Sequence, residues 1–452
     1  MTSEERHERI LRGPILRTVL TLAAPNALMV MAQTAVTIAD AAYVGRLGTE
    51  ALAALALVFP TQMVMGMMSA GAMGGGVSSS VARALGAKNQ DRANAAAAHA
   101  VVIALVMATL FAVVFVVFGR WIFALFGGRG AVLEGAVGYA RILFLGGYIV
   151  WLTNTLASIL RGTADMRTPS MALLAAAFVH VPLSGALTLG WGGVPKLGVM
   201  GPAVAMVVTA LGAGVWMALR LASGSAAVRL HIRGAGLRWE AFRDILRVGG
   251  VACLVVILTN ATILVVTGLI GRAGNAALAG YGTGSRLEYM LIPISFGVGA
   301  ALTAMVGTNV GARQYARAQR IAWTGAGMAA VVAGVIGLTV AVAPDLWLRI
   351  FTQDVAVLEQ GRTYLRIVGP VYGLFGLAMA LYFASQGTGT MVWPVFANVC
   401  RISVAVGGGL FSLTVLGLGA RGLYACVALG IIAFSSILAY STTTRAWRPD
   451  RV

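Results

Sequence analysis

Inside a membrane an ionisable side chain is costly and tends to serve function, so acids within apolar segments are the first residues to weigh. Of fifteen Asp and Glu, thirteen sit in tails, loops or the edges of apolar runs; the exceptions are Asp40 and Glu288. Asp40 lies toward the C-terminal end of the first run, in MVMAQTAVTIADAAYVG. Counting back by threes and fours gives Thr37, Gln33, Met29 and Asn26, one helical face with a polar and thioether stripe, while Val30, Ala35 and Val36 largely cover the rest. That face should look into a cavity, with Asn26, Met29, Gln33, Thr37 and Asp40 as ligand contacts. A carboxylate there is desolvated, which suits reversible protonation. The competing reading puts Asp40 at headgroup level near Gly45 and Arg46, as a surface acid or the partner of an arginine.

Glu288, in GSRLEYMLIPISFGVG, follows Arg286 by two residues near the start of a later run. An interfacial ion pair between the two is the favoured reading, and a cavity role the minority one. His180, in AAAFVHVPLSG, is either a hydrogen-bonded structural residue or part of a proton path. Asn154 and Asn260 can join helices or line a cavity. Met63, Met65, Met67 and Met68 are packing residues first, although flexible thioethers such as that of Met67 suit varied apolar ligands. Pro25 either bends its helix or occupies a first-turn position.

Other chemistries lack their residues. Gly71 to Gly76 has no following Lys-Ser/Thr and sits in an apolar run, so it reads as close helix packing and not as a phosphate loop. Cys253, Cys400 and Cys426 have neither ligand-like nor disulfide-like spacing. No cofactor, metal site, nucleophile elbow or ATPase domain is expected, so the chain is not read as an enzyme. If it moves a solute actively, the energy comes from an ion gradient.

The elements that position these residues follow from composition. The chain has 452 residues, 59% hydrophobic and 11% charged, where a soluble domain carries about 25% charged residues. Mean hydropathy is +0.87. Apolar segments near 16–45, 52–83, 95–119, 131–161, 168–190 and 198–222, then 243–271, 277–311, 320–343, 359–385, 393–416 and 420–444, are long enough to cross about 30 Å of hydrocarbon as helices. The fold class is therefore all-α and polytopic, with twelve transmembrane helices. Lys and Arg number 21 in the tails and even-numbered loops against 7 in the odd-numbered loops, which puts both termini in the cytoplasm. The net charge of +18 is thereby topogenic, and no nucleic-acid partner is expected. MTSEERHERILRG reads as a tail, not a signal peptide.

The halves repeat. Gly45-Arg46-Leu47-Gly48 and Ala51-Leu52-Ala53 match Gly271-Arg272-Ala273-Gly274 and Ala277-Leu278-Ala279 at an offset of 226. An offset of 225 then relates Gly86-Ala87-Lys88 to Gly311-Ala312-Arg313, and Gly162-Thr163 with Pro169 to Gly387-Thr388 with Pro394. Six spans per half is an even number, so the halves enter the membrane in the same sense, about an axis along its normal. The expected organisation is a tail (1–15), an N-terminal lobe (16–222), a linker (223–242), a C-terminal lobe (243–444) and a second tail (445–452). The charged linker suits a short interfacial helix or a plain connector anchored by Trp239.

Taken together, Asp40 with Tyr43-Val44-Gly45-Arg46-Leu47-Gly48, the Gly86-Ala87-Lys88 loop, Leu160-Arg161-Gly162-Thr163-Ala164-Asp165-Met166-Arg167-Thr168-Pro169 and Leu197-Gly198-Val199-Met200-Gly201-Pro202-Ala203 resemble the multidrug and toxic compound extrusion (MATE) family, in particular its damage-inducible-F-like branch. The resemblance implies two pseudo-symmetric six-helix bundles around a central V-shaped cleft, acting as a monomer in the bacterial inner membrane. It also implies export of amphipathic, often cationic compounds in exchange for H⁺ or Na⁺. Asp40 matches the first-helix coupling acid. His180 and Ser184 stand where the family commonly has Asn and Asp, which makes them candidates for the ion site. The acids that sodium-coupled relatives carry in the seventh and tenth helices are missing, so H⁺ is the expected ion. A lipid or lipid-linked sugar flippase of the same superfamily is the alternative, one that would favour a basic cavity.

Overall fold

In hydrocarbon no water satisfies the backbone, so long apolar runs form helices whose hydrogen bonds close within the segment. The computed structural model describes residues 3–224, 227–229, 238–272, 274–445 and 447, which form helices and no strand. Eleven helices are long and apolar enough to cross a membrane, and a bent pair makes twelve. The first three spans are Ile15–Gly45, Thr49–Gly86 and Gln90–Val117; the fourth is Gly130–Leu145 plus Gly147–Gly162, bent by 46°; the fifth and sixth are Arg167–Leu189 and Gly198–Ala222. The seventh to twelfth are Trp239–Gly271, Asn275–Gly311, Tyr315–Val342, Val355–Thr388, Val392–Thr414 and Gly419–Ser441. Large exposed side chains on them, such as Phe178, Leu264, Val331 and Val342, are apolar, as lipid contact requires. Pro25 lies inside the continuous first helix, so it is not a first-turn proline.

The repeat is visible in the backbone. Lys88 and Arg313, equivalent positions of the two halves, both take positive φ (56° and 59°), as do the equivalent pair Ala164 (63°) and Gly389 (83°). A Cβ on Gly162 would lie 2.8 Å from Ser78 O and 2.9 Å from Val81 Cβ; on Gly387 it would lie 2.8 Å from Thr303 O and 2.9 Å from Val306 Cβ. The same close helix crossing is thus built twice.

The lobes seal at one end. A Cβ on Gly86 would run into Thr308 O, its repeat mate Gly311 would run into Arg83 O, and Gly76 would meet the Gly249 backbone at 2.6 Å. Asn26 Nδ2 donates to Gly297 O (3.4 Å) and Gln386 Nε2 to Gly71 O (3.3 Å). Arg83 binds Asp244 at 3.0 Å, and Ser80 Oγ donates to the same carboxylate at 2.6 Å. All these contacts fall in the halves of the spans nearest the termini and the linker. They close the V at that end.

The N-terminal helix, Ser3–Arg12, lies across this seam. Arg6 pairs with Asp165 of the N-terminal lobe at 3.3 Å. Arg317 Nε and Asn309 Nδ2, from the C-terminal lobe, donate to Ile10 O at 3.2 and 3.4 Å. Ile10 is buried, while burial and the Lys88 charge lower the His7 pKa from its ordinary value. Residues 225–226 and 230–237, on which the interfacial-helix reading of the linker rests, lie outside the described residues. Beside them, Arg229 N–H donates to Asn94 Oδ1 and Arg238 N–H to His99 Nε2, each at 2.9 Å.

Candidate functional site

Asp40 sits in the last turns of the first span, and the fifth span packs alongside that helix. The four-residue spacing of His180 and Ser184 puts both on one face of the fifth helix, and both side chains reach the same carboxylate. His180 Nε2 is 3.0 and 3.1 Å from the two Asp40 oxygens, and Ser184 Oγ donates to Oδ1 at 2.5 Å. Asp40 is 7% exposed, His180 and Ser184 less. Among the described residues no arginine or lysine pairs with Asp40; its one cationic partner is His180. Tyr139, which donates to Gln62 Oε1 at 3.0 Å, is within electrostatic range of the same charge. An ionised Asp40 accepts from Ser184 and from His180 Nε2–H; a protonated Asp40 donates to one of its partners. A proton can therefore enter and leave without dismantling the pocket.

The stripe preceding Asp40 divides along its length. Gln33 and Thr37 are exposed, and Thr37 Oγ1 donates to Gln33 O at 3.1 Å. Asn26 and Met29 are buried in the sealed end, about 21 and 16 Å further along the helix from Asp40. Asn26 also accepts from Ser170 Oγ at 2.9 Å. Val36, read as covering the opposite face, is buried with them. Asn154 Nδ2 donates to Ser69 Oγ at 2.8 Å, a bond that joins the fourth span to the second. Met67 is half-buried where the second span makes a π-turn, Met67–Met73, a local widening often found at functional sites.

The favoured partner of Glu288 is corrected by the structure. Arg286 is exposed and its guanidinium lies 5.1 Å from the centre of the Phe351 ring. Glu288 accepts instead from Tyr364 Oη at 2.5 Å and faces Arg401 Nη2 at 4.0 Å. Residues two apart on a helix point away from one another, while neighbouring helices bring long side chains in from the tenth and eleventh spans. Arg401 also stands over the rings of Phe375 (5.3 Å) and Phe434 (5.7 Å). Glu288 is thus charge-balanced within the C-terminal lobe.

The repeat offset makes the lobes chemically unequal. The positions matching Asp40, His180 and Ser184 are Val266, Ala405 and Gly409, and Val266 and Ala405 belong to one buried apolar cluster. The titratable pocket is built once.

Arg161, part of the Leu160 to Pro169 motif, has surroundings that the sequence did not indicate. It lies in the last turn of the fourth span and is buried, with Nη2 3.7 Å from Met29 Sδ and its guanidinium 5.4 Å from the Phe296 ring centre. Its place in a Gly-containing loop motif concealed this, because the neighbours that cover it come from the first and eighth spans.

The MatE family model matches residues 25–185 and 252–409. The chain is 24% identical over 408 residues to the FAD transporter of Shewanella oneidensis, covering 88% of each chain. It is 28% identical over 441 residues to the Probable multidrug resistance protein NorM of Deinococcus radiodurans, covering 92% of each. A solved structure described as the outward-facing conformation of a multidrug resistance MATE family transporter superposes with a TM-score of 0.91 at 23% identity, over 98% of both chains.

Proposed function

This chain belongs to the MatE family, and we propose that it is a proton-coupled antiporter that exports amphipathic organic compounds by alternating access. It is a membrane transporter and not an enzyme. The observation that carries the reading is the enclosed Asp40–His180–Ser184 cluster, a single carboxylate balanced by a titratable imidazole. The proton enters when the cleft is open at the end away from the termini and leaves when the lobes part at the other end. The positive-inside count supports cytoplasmic termini and a bacterial inner-membrane location. The lobes are taken as 16–222 and 243–444, working as a monomer, with the names of relatives, multidrug resistance proteins and a FAD transporter, pointing to bulky substrates.

A membrane potential of 100 mV contributes about 2.3 kcal/mol per charge moved, which an inward proton uses together with the pH difference. In sealed vesicles, an imposed pH gradient without sodium is expected to drive export of a fluorescent amphipathic dye. Export that needs a sodium gradient and ignores the pH gradient would overturn the proton assignment.

Substrate is proposed to lie along the open part of the first span. Cysteines placed at Gln33 and Thr37 should react with a bulky thiol reagent and be protected by saturating substrate. A cysteine at Asn154, whose position is held by Ser69, should react slowly with or without it. Labelling at Gln33 and Thr37 that ignores substrate would remove them from the path.

The buried cation Arg161 is the one observation that favours the second reading, a flippase of phosphate-bearing lipid.

A further inference from the structure

Several arginines inside or beside the spans are matched with acids: Arg83 with Asp244, Arg401 with Glu288 and Arg362 with Asp345. Arg161 is not. It is 3% exposed, forms no ion pair among the described residues, and its Nε has no hydrogen-bond partner there. What surrounds the guanidinium is soft and apolar: a thioether from the first span and the face of Phe296 from the eighth. Met29 lies near the middle of the first span, Ile15–Gly45, and Phe296 just past the middle of the eighth, Asn275–Gly311. Arg161 itself stands in the last turn of the fourth span and reaches inward between these two helices. An unpaired charge buried to this extent is expensive, and neither a cation–π contact nor a sulfur contact replaces a carboxylate.

The cover is also divided between the lobes. Arg161 and Met29 belong to the N-terminal lobe and Phe296 to the C-terminal one, so parting of the lobes at this end strips the ring from the guanidinium and leaves its unused N–H groups facing the new cavity. We propose that Arg161 is the recognition group for the acidic moiety of an amphipathic, aromatic organic anion, bound when the lobes open at the end that carries the termini. This rests on the export reading above and names its substrate class. The guanidinium matches a carboxylate or phosphate in a bidentate fashion, while Met29, on the same lobe, offers polarisable apolar surface for the rest of the molecule. The anion site lies about 16 Å along the first helix from Asp40, so an acidic ligand need not displace the coupling proton. An anion leaving while a proton enters moves both charges down an inside-negative potential. The potential should therefore accelerate export of an anion more than that of a cation of the same shape.

The experiment uses the full chain in phosphatidylcholine proteoliposomes with an imposed pH gradient. Two dyes share one ring system and differ in charge: fluorescein as the anion and rhodamine B ethyl ester as the cation. Arg161→Gln is expected to lower the ratio of fluorescein to rhodamine ester transport about tenfold, the effect of losing one charge-assisted pair, and Arg161→Lys is expected to recover part of it. An unchanged ratio, or wild-type transport of the rhodamine ester without any of fluorescein, overturns the proposal. Binding of fluorescein to solubilised protein, read by fluorescence anisotropy, separates the two readings. If neither dye moves yet wild type binds fluorescein and Arg161→Gln does not, the anion site stands and the coupling assignment fails. Should Arg161→Gln not fold, Phe296→Ala, which uncovers the guanidinium and keeps its charge, is expected to tighten fluorescein binding, and weaker binding counts against the site. Displacement of fluorescein by phosphatidylglycerol, with translocation of that lipid by the wild type alone, would replace the small anion with a lipid and overturn the proposal.

Discussion

Asp40→Asn abolishes proton-driven export, bringing dye transport to the background of empty vesicles, while the protein inserts and folds normally. The amide has the volume of the carboxyl and can still accept from Ser184 Oγ, which lies 2.5 Å from Oδ1. It cannot take up or release a proton in the accessible range. The hydrogen bond to His180 weakens from charge-assisted to neutral, a loss of about 1 kcal/mol, too little to unfold a twelve-span protein. Loss of transport should thus come with a melting temperature within a few degrees of wild type. The check pairs vesicle transport with thermal unfolding of purified protein. Export at the wild-type rate would show that the Asp40 cluster is structural and that the proton travels elsewhere.

Gly86→Val and its repeat mate Gly311→Val should each hold the lobes apart at the terminal end and stop turnover. Both glycines face a carbonyl of the opposite lobe at a distance that leaves no room for a Cβ. Backbone cannot swing aside as a side chain can, so the second and eighth helices must separate. Overpacking of this kind costs about 1–3 kcal/mol, and about 2 kcal/mol shifts a two-state equilibrium roughly thirtyfold. The change should fall on the sealed form alone, because the two spans meet only there. Spin labels at Lys88 and Arg313, both at the surface of the sealed end, should report a longer distance in either variant. Gly327→Ala, at a ninth-span position where a Cβ meets nothing within 4 Å, should change neither distance nor transport. An unchanged distance in Gly86→Val would mean that the seam relaxes locally and is not the gate.

These two expectations differ in how far the sequence alone carries them. Asp40 stood out because an acid within a long apolar helix, Ile15–Gly45, is rare; His180 and Ser184 were joined to it only by the family resemblance, and the packing of the fifth span on the first came from the fold. The spans and the duplication were legible for a related reason. In a membrane each helix satisfies its own backbone, so hydropathy and glycine spacing are local signals, and the duplication survives as paired positive φ angles at Lys88 and Arg313.

What lies between helices was decided only by the fold. Glu288 passed over the nearby Arg286 for Tyr364 and Arg401, which arrive from the tenth and eleventh spans. Asn154 found Ser69 in another helix, and the polar stripe of the first span was cut into an open part and a sealed part by the eighth. Arg161, at the end of an apolar run, gave no sign in the sequence of the cover that the first and eighth spans put over it. Helix direction and spacing specify which side chains share a face, but not which other helix faces them. That choice is made when small residues such as Gly76, Gly86, Gly249 and Gly311 let particular backbones approach, and partners for long charged side chains are then set by which helices meet.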